Sequence, residues 1–205
     1  MKKFTYKGVE MELIGHASVK IKAGKEVIYI DPYAVKQGAE KATIILYTHG
    51  HFDHCVEAAP ITAKDTIKIG RGCKHAQANI EIGETVEIRD VKITAVDAYN
   101  PAKPFHPKGE GAGFIISIGG IRIYHAGDTD FIPEMARYKA EVAFLPIGGT
   151  YTMDEKEAAE ATKVIQPEVV IPMHYNYLAQ TKAEPSYFEK LVQQLAPSVK
   201  VVALE

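Results

Sequence analysis

The sequence lacks the features of disulfide-rich, secreted and membrane-spanning proteins. Its 205 residues include only two cysteines, Cys55 and Cys73, too few for a disulfide-rich scaffold or an all-cysteine zinc site. No apolar run approaches the ~20 residues of a membrane span, and the N-terminus has no apolar stretch of signal-peptide length. We therefore expect a reducing, cytoplasmic setting and no membrane partner.

An excess of charge of either sign is also missing. Lysine and arginine number 24 against 26 aspartate and glutamate residues, so the balance does not indicate nucleic-acid binding. Hydrophobic residues make up 46% and charged residues 24%, as in ordinary globular proteins, and the length predicts one domain over residues 1–205. We expect a small-molecule substrate, and the composition leaves homo-oligomerisation open.

Hydrophobic patterning predicts a strand-rich first half. Short apolar or alternating runs predict strands at residues 11–15, 19–23, 27–30, 43–47, 66–69, 86–88, 91–96, 114–118 and 121–124. Gly119-Gly120 predicts a hairpin turn between the last two. The prolines and glycines of residues 100–113 predict a long loop instead of regular structure.

The last third predicts alternating helices and strands. Strands are expected at 142–147, 169–173 and 199–204, and helices at 132–138, at 188–195 and from a capping box at Thr152 and Glu155 to residue 165. A further short helix is expected to end near residue 59. This order predicts an α+β or an α/β fold, a sandwich with sheets in the middle and helices outside.

The strongest chemical signal is the segment His49-x-His51-x-Asp53-His54, which directly follows the predicted buried strand 43–47. Imidazole and carboxylate groups are ligands for zinc and similar divalent metals. In a turn, His49 and His51 can face one ion while Asp53 and His54 face another, with Gly50 allowing the backbone to turn tightly. The segment therefore predicts a site for two metal ions.

Two more candidate ligands follow predicted strands. Asp128 lies just after strand 121–124, and His174 follows strand 169–173. Ligands in layered α/β folds gather at the carboxyl ends of strands, so these side chains are expected beside the histidine motif. Because a carboxylate has two oxygens, Asp128 can bridge two ions. Signatures of other chemistries, such as Gly-x-Ser-x-Gly or His-Glu-x-x-His, are absent from the chain.

The combination of Thr48-His49-x-His51-x-Asp53-His54, Gly127-Asp128-Thr129 and a late-strand His174 resembles the metallo-β-lactamase superfamily of binuclear hydrolases. Further segments, such as Gly15-His16-Ala17-Ser18 and Pro172-Met173-His174-Tyr175-Asn176, look like its small cytoplasmic branch related to ascorbate-6-phosphate lactonase. The resemblance covers nearly the whole chain. It implies an αββα four-layer sandwich with the metals at one edge of the sheets.

One ligand of the resembled pattern is missing. The superfamily usually adds a third histidine to the first metal just after the strand predicted here at 91–96, where this chain has no histidine. Asp97 or Asn100 can stand in with an oxygen, or His106 can fold back from the loop. We favour His106 as a site residue, and the gap leaves open whether one ion or two bind.

Several neighbouring residues are assigned lesser roles. By resemblance, His16 lies near the metals and contacts substrate. Asp31 is a candidate partner that orients a ligand histidine, or equally a residue that caps a turn with Pro32. Asn100, Tyr175 and Asn176 are expected to bind substrate, together with loop 100–113 and turn 151–154. Lys103 and Lys108 can attract an anionic substrate or simply be solvated. His125 is expected to be structural, His75 to lie on the surface and Cys55 to be a small buried residue.

These features favour a metal-dependent hydrolase in which a metal-bound hydroxide attacks a small ester, lactone or phosphodiester, an anionic one included. Asp53 and His106 are the catalytic candidates, with Asp53 relaying a proton. Two divalent ions are expected, zinc before manganese or iron given the histidine-rich set. The alternatives are a metal-holding sensor or binding module without turnover, and a nuclease of the same superfamily.

Overall fold

Two seven-stranded β-sheets form the centre of the structure, a computed structural model that describes residues 3–204. The first sheet contains, in spatial order, β1 (Lys3–Tyr6), β2 (Val9–Gly15), β3 (Ser18–Ala23), β4 (Glu26–Ile30), β5 (Ile44–Tyr47), β6 (Ile67–Gly70) and β7 (Ala78–Asn79). The second contains β8 (Thr85–Ile88), β9 (Val91–Ala98), β10 (Gly111–Ile118), β11 (Ile121–His125), β12 (Val142–Pro146), β13 (Val169–Met173) and β14 (Lys200–Val201).

Both sheets have the same pairing pattern. In each, the first four strands pair antiparallel and the remaining strands are added in parallel. The β10–β11 hairpin turns at Gly119 and Gly120, both of which have positive φ, as the two-residue turn requires. The sequence shows no internal repeat, yet its two halves build sheets of matching topology.

Alternating side chains of the parallel strands supply two separate cores. Ile28 and Ile44 face the large core between the sheets, while Tyr29 and Ile45 face a smaller core on the outside of the first sheet. This alternation follows from the two-residue period of a strand. Burial on both faces explains why the sequence reads as continuous apolar runs here.

Two α-helices pack beside each other against the second sheet. They are α1 (Glu155–Ile165) and α2 (Pro185–Leu195), and their buried residues share the large core with β12 and β13. A capping box begins α1, but Asp154 and Glu157 form it, and not the predicted pair Thr152 and Glu155. The predicted helix at 132–138 is a 3₁₀ turn, Pro133–Arg137. The α+β sandwich is confirmed.

The outer face of the first sheet carries turns where a helix was expected. Residues 51–61 form turns with no α-helix, so the prediction of a helix to residue 59 is wrong. Cys55 is buried as expected, but it is also bonded to Cys73 in a disulfide that the sequence analysis did not predict, with a Cα–Cα distance of 5.5 Å. The disulfide lies in the small outer core and joins the turn to the segment after β6. A covalent link here replaces the packing that a helix would provide.

Removal of this disulfide is expected to lower the free energy of unfolding by about 3 kcal/mol, since it closes a loop of 18 residues and so restricts the unfolded chain. The comparison is between the oxidised wild type and a Cys55→Ala, Cys73→Ala double variant in urea titrations. Treating the wild type with reductant should reproduce the loss, whereas the double variant should not respond to reductant. Equal stability of the two proteins would contradict the expectation.

No helix within residues 3–204 combines the length and apolar character needed to cross a membrane.

Candidate metal centre

The candidate ligands lie where strands of both sheets end. His49 follows β5, Asp128 follows β11 and His174 follows β13, and all three side chains are buried. Because β4 and β5 run parallel, as do β11, β12 and β13, their carboxyl ends meet at one edge of the sandwich. The structure thus brings these three side chains together at one edge, as the sequence predicted.

A first cluster consists of His49, His51 and His106. Their candidate ligand atoms all lie within 4.8 Å of one another. His106 reaches the other two histidines from the long loop after β9, as favoured from the sequence. Of the alternatives, Asp97 has its carboxylate 3.9 Å from Lys108 Nζ instead, and Asn100 contacts His106.

A second cluster consists of His16, Asp53, His54 and His174, whose candidate ligand atoms also lie within 4.8 Å of one another. His16 Nε2 is 3.1 Å from Asp53 Oδ2, and the rings of His16 and His174 are 3.9 Å apart between centroids. The sequence suggested only substrate contact for His16. The structure places His16, buried, beside three other candidate ligands.

Asp128 lies between the two clusters. Its Oδ2 is 3.4 Å from His106 Nε2 and 3.1 Å from His174 Nε2, and its Oδ1 is 3.4 Å from His54 Nε2. One carboxylate therefore approaches histidines of both clusters. This is the arrangement that a bridging carboxylate needs.

Unsatisfied ring nitrogens test whether these clusters suit metal ions. Among residues 3–204, the buried atoms without a hydrogen-bond partner include Nε2 of His49, His54, His106 and His174. Burying a polar nitrogen without a partner is costly, and these four atoms all belong to the clusters. Imidazole nitrogens gathered around a carboxylate are the donors that zinc prefers, so the residues fit the group.

The opposite nitrogens of three of these rings are held in place, whereas both ring nitrogens of His174 lack a hydrogen-bond partner. Asp31 Oδ2 accepts hydrogen bonds from His54 Nδ1 at 2.7 Å and from the Thr48 hydroxyl at 2.6 Å. The same hydroxyl accepts from His49 Nδ1 at 2.9 Å. In the other sheet, His106 Nδ1 donates to Asn100 Oδ1 at 2.7 Å. Such partners fix the tautomer and orientation of ligand histidines and leave Nε2 free to bind metal.

Burial and charge set the protonation of the site. Burial holds the pKa of His49 well below its ordinary value and also lowers the pKa values of His106 and His16. Burial alone would raise the pKa of Asp128, but the His174 and His54 rings outweigh it and hold that pKa well below the usual range. Burial also opposes the charge on His54, but the Asp128 and Asp31 carboxylates outweigh it and hold the pKa of His54 well above its ordinary value. The site therefore combines the neutral imidazoles of His49, His106 and His16 with an ionised Asp128 beside a protonated His54.

Comparison with known proteins then identifies the family. Residues 10–174 match the model of the β-lactamase superfamily domain. The chain belongs to the metallo-β-lactamase superfamily. Relatives include UPF0173 metal-dependent hydrolases from Methanoregula boonei, 36% identical with 88% of each chain covered, and from Methanopyrus kandleri, 34% identical with 94% of this chain and 95% of the relative covered. This superfamily member is a metal-dependent hydrolase.

A solved structure supports the same assignment. A metallo hydrolase from the archaeon Ignicoccus hospitalis superposes with a TM-score of 0.82 at 31% identity, covering 96% of this chain and 95% of that one. The shared fold places the two sheets and their metal-edge loops in the arrangement of the superfamily. The narrower link to ascorbate-6-phosphate lactonase stays a prediction.

Strained backbone occurs at three residues of this superfamily site. His16, Asp31 and His174 have φ between +45° and +56°, a left-handed conformation that is uncommon outside glycine. Each follows a strand end and turns its side chain into the site. Such conformations cost of order 1–3 kcal/mol each and persist where the surroundings enforce them, often at functional sites.

Gly50, inside the histidine motif, is required by a neighbouring loop. A Cβ at this position would lie 2.7 Å from the carbonyl oxygen of Gly72. Gly50 lies in a bend but does not have positive φ, so left-handed backbone is not what requires a glycine here. The glycine instead lets the segment after β6 pack against the motif, next to the disulfide.

A cavity of about 350 Å³ opens beside the clusters and exposes part of the site. Its lining combines residues of the metal clusters with other side chains contributed by four loops: His51, Phe52, Asp53, Phe105, His106, Asp128, Tyr151, His174, Leu178 and Gln180. Phe105 and Tyr151 belong to the loop and turn expected to shape the substrate site. Phe52 and Leu178 could not be predicted from the sequence, because a single apolar residue in a loop carries no distinctive pattern.

The structure places the residues expected to bind substrate differently from this lining. The Asn100 amide is used by His106 and by the Tyr151 carbonyl. Asn176 hydrogen-bonds the backbone of Ala183, and Tyr175 packs against the large core. These three residues support the loops of the site and do not line the cavity.

The remaining histidines lie outside both clusters. His125 is fully buried, and its Nε2 is 3.0 Å from the Ala17 carbonyl oxygen, which fits a structural role. His75 is partly exposed beside Glu57, with 3.1 Å between Nδ1 and the carboxylate.

Proposed function

We propose that this metal-dependent hydrolase works with two divalent ions, zinc by preference, and cleaves a small ester, lactone or phosphodiester. His49, His51 and His106 would hold one ion, and Asp53, His54 and His174 the other, with Asp128 shared. The observation that carries the proposal is the set of buried, unpartnered Nε2 atoms on both sides of one carboxylate.

Ions bound at these residues supply Lewis acidity, which lowers the pKa of water and polarises a carbonyl or phosphoryl oxygen. The oxygen of water bonds to the acyl carbon or phosphorus, the bond to the leaving oxygen breaks, and a proton reaches that oxygen. Asp53 lines the cavity and is ionised, because the hydrogen bond from His16 outweighs burial and lowers its pKa. Its carboxylate is therefore suited to take the proton from water and pass it to the leaving group.

Hydrogen bonds to the second ring nitrogen position three of the proposed histidine ligands. Asp31 and Thr48 fix the His54 and His49 rings, and Asn100 fixes His106. Since His106 Nδ1 is held by Asn100, its other nitrogen faces His49 and His51, which favours a ligand role over acid–base work. Preorganised rings avoid reorganisation when the ions bind.

The test is elemental analysis of protein purified without chelator or nickel affinity resin. We expect about two equivalents of metal in the wild type and a loss of metal in a His51→Ala, His54→Ala double variant. The matched control is His75→Ala, which removes a histidine outside both clusters. Only wild type and control are expected to hydrolyse lactone or phosphodiester probes.

Other outcomes would change the proposal in distinct ways. One equivalent of metal, lost in a His54→Ala variant but retained in His106→Ala, would overturn the binuclear assignment. Two equivalents without hydrolysis of any ester, lactone or phosphodiester would favour a metal-holding binding module. No metal after reconstitution with zinc, manganese or iron would overturn the proposed use of the clusters altogether.

A further inference from the structure

The cavity beside the metal clusters has two kinds of lining. One part consists of candidate metal ligands and is polar, because His51, Asp53, His106, Asp128 and His174 belong to the clusters. The other part, here named the cavity wall, consists of Phe52, Phe105, Tyr151, Leu178 and Gln180. A substrate whose reacting group meets the metals must place the rest of its structure against this wall.

The cavity wall carries no charge. Within residues 3–204, neither lysine nor arginine lines this cavity. The two lysines of loop 100–113 are engaged elsewhere. Lys103 Nζ lies 2.7 Å from Asp130 and 2.6 Å from the Thr152 carbonyl oxygen. Lys108 Nζ lies 2.7 Å from Glu134. An anionic group held against the cavity wall would find no lysine or arginine to pair with, and desolvating it unpaired is costly. Arg71 lines a neighbouring cavity instead, where it is paired with Glu81 and the Gly109 carbonyl oxygen.

The cavity wall also exposes aromatic surface to solvent. Phe52 is 71% exposed and Phe105 is 37% exposed, two of the few large hydrophobic side chains that the described residues leave in water. Phe105 packs edge-on against Tyr151, with 4.8 Å between ring centroids and 80° between planes. Apolar surface concentrated around a polar cluster is typical of a ligand site, where a few polar groups orient a mostly apolar ligand.

We infer that the substrate carries an uncharged, apolar alkyl or aryl group next to the scissile bond, and that Phe105, Tyr151 and Leu178 bind this group. The inference rests on the proposed function and narrows its substrate to neutral esters or lactones with an apolar substituent. A volume of about 350 Å³ accommodates roughly a dozen non-hydrogen atoms, at about 30 Å³ per water-sized group. Phosphorylated or carboxylated substituents are excluded from this wall.

A matched pair of substrates tests the substituent. We expect kcat/KM for γ-nonalactone to exceed that for the γ-lactone with a carboxylate in place of its pentyl chain by about tenfold or more, because the wall has no partner for the charge. A binding experiment separates recognition from turnover. Benzohydroxamate should bind the zinc-loaded protein at least about tenfold more tightly than 4-carboxybenzohydroxamate in calorimetry.

Variants of the wall assign the effect to named residues. Phe105→Ala should lower kcat/KM for γ-nonalactone by about tenfold and leave unsubstituted γ-butyrolactone unchanged. Leu178→Lys should shift preference toward the carboxylated lactone and hydroxamate. The matched control is Ala179→Lys, which adds the same charge at the next, exposed residue outside the lining and should change neither preference.

The outcomes separate the inference from the proposed function. Equal or tighter binding of the carboxylated hydroxamate, or equal effects of the two lysine variants, would overturn the apolar wall and leave hydrolysis intact. A preference for benzohydroxamate without turnover of either lactone would overturn the proposed hydrolysis of lactones and retain the wall. Binding of neither hydroxamate would overturn both.

Discussion

An Asp128→Ala variant is expected to lose both metal ions and all hydrolytic activity. Asp128 approaches His54, His106 and His174 within 3.1–3.4 Å and is shared by both clusters. Without its carboxylate, each ion would lose a ligand, and two neighbouring cations would repel each other without the bridging negative charge. The metal-free protein should also lose about 3–5 kcal/mol of stability, because a buried charge pair is broken.

Elemental analysis, hydrolysis assays and urea unfolding with chelator present measure the three effects. Asp130→Asn is the matched control, since Asp130 is also buried and two residues away but pairs with Lys103 outside the clusters. The control should retain both ions. Full metal content in Asp128→Ala would show that the carboxylate does not bridge.

Substitution of Asp31 by asparagine should weaken metal binding by about 10–100-fold without removing any ligand. Asp31 accepts hydrogen bonds from His54 and from Thr48, which in turn positions His49. An amide there would turn an N–H toward one of these donors and disturb both rings. Asparagine tolerates the left-handed backbone of residue 31, so the variant changes hydrogen bonding with little added strain.

Chelator competition measures the affinity, and a second variant shows how the effect is divided. Thr48→Val removes the link to His49 and keeps the bond between Asp31 and His54, so it should weaken one ion only. If Asp31→Asn binds both ions with wild-type affinity, orientation of these rings by Asp31 does not matter for the site. If Asp31→Asn weakens the binding of one ion only, the hydrogen-bonded path from Asp31 through Thr48 to His49 does not contribute to metal binding.

The strand ends that carry the site could be predicted because their signals are local. Buried strands precede His49, Asp128 and His174 as short apolar runs, and polar ligand side chains follow at once. Parallel strands must end at the same edge, so the convergence required no long-range information. The strand at 169–173 coincides with β13, Val169–Met173.

Features that depend on distant contacts were harder to predict. The sequence left Asp97, Asn100 and His106 open as completing ligands, because the choice depends on how the loop folds back. In the structure, the Asn100 amide oxygen accepts from both the backbone and the ring of His106 and so fixes the loop. The helix expected to end near residue 59 was wrong because the Cys55–Cys73 bond fixes the turn there.

The predicted boundary between loop 100–113 and the strand after it was also wrong, because glycines belong to that strand. The loop expected over 100–113 ends earlier, because β10 begins at Gly111. At Gly113 a Cβ would lie 2.9 Å from the Ala126 carbonyl oxygen, so the strand can pass this close only without a side chain. Glycine in that stretch marks a close approach of two segments and was interpreted as a loop signal.

The division of ligands between the sheets has a consequence for folding. His16, His49 and His54 come from the first half of the chain, while His106, Asp128 and His174 come from the second. Each cluster contains residues of both halves, so an ion bound there ties together two sheets that are built from separate stretches of sequence. Metal then acts as a reversible crosslink, whose binding energy is available only after the sheets have docked. Bound ions would therefore add to the stability that the shared apolar core gives to the docked sheets.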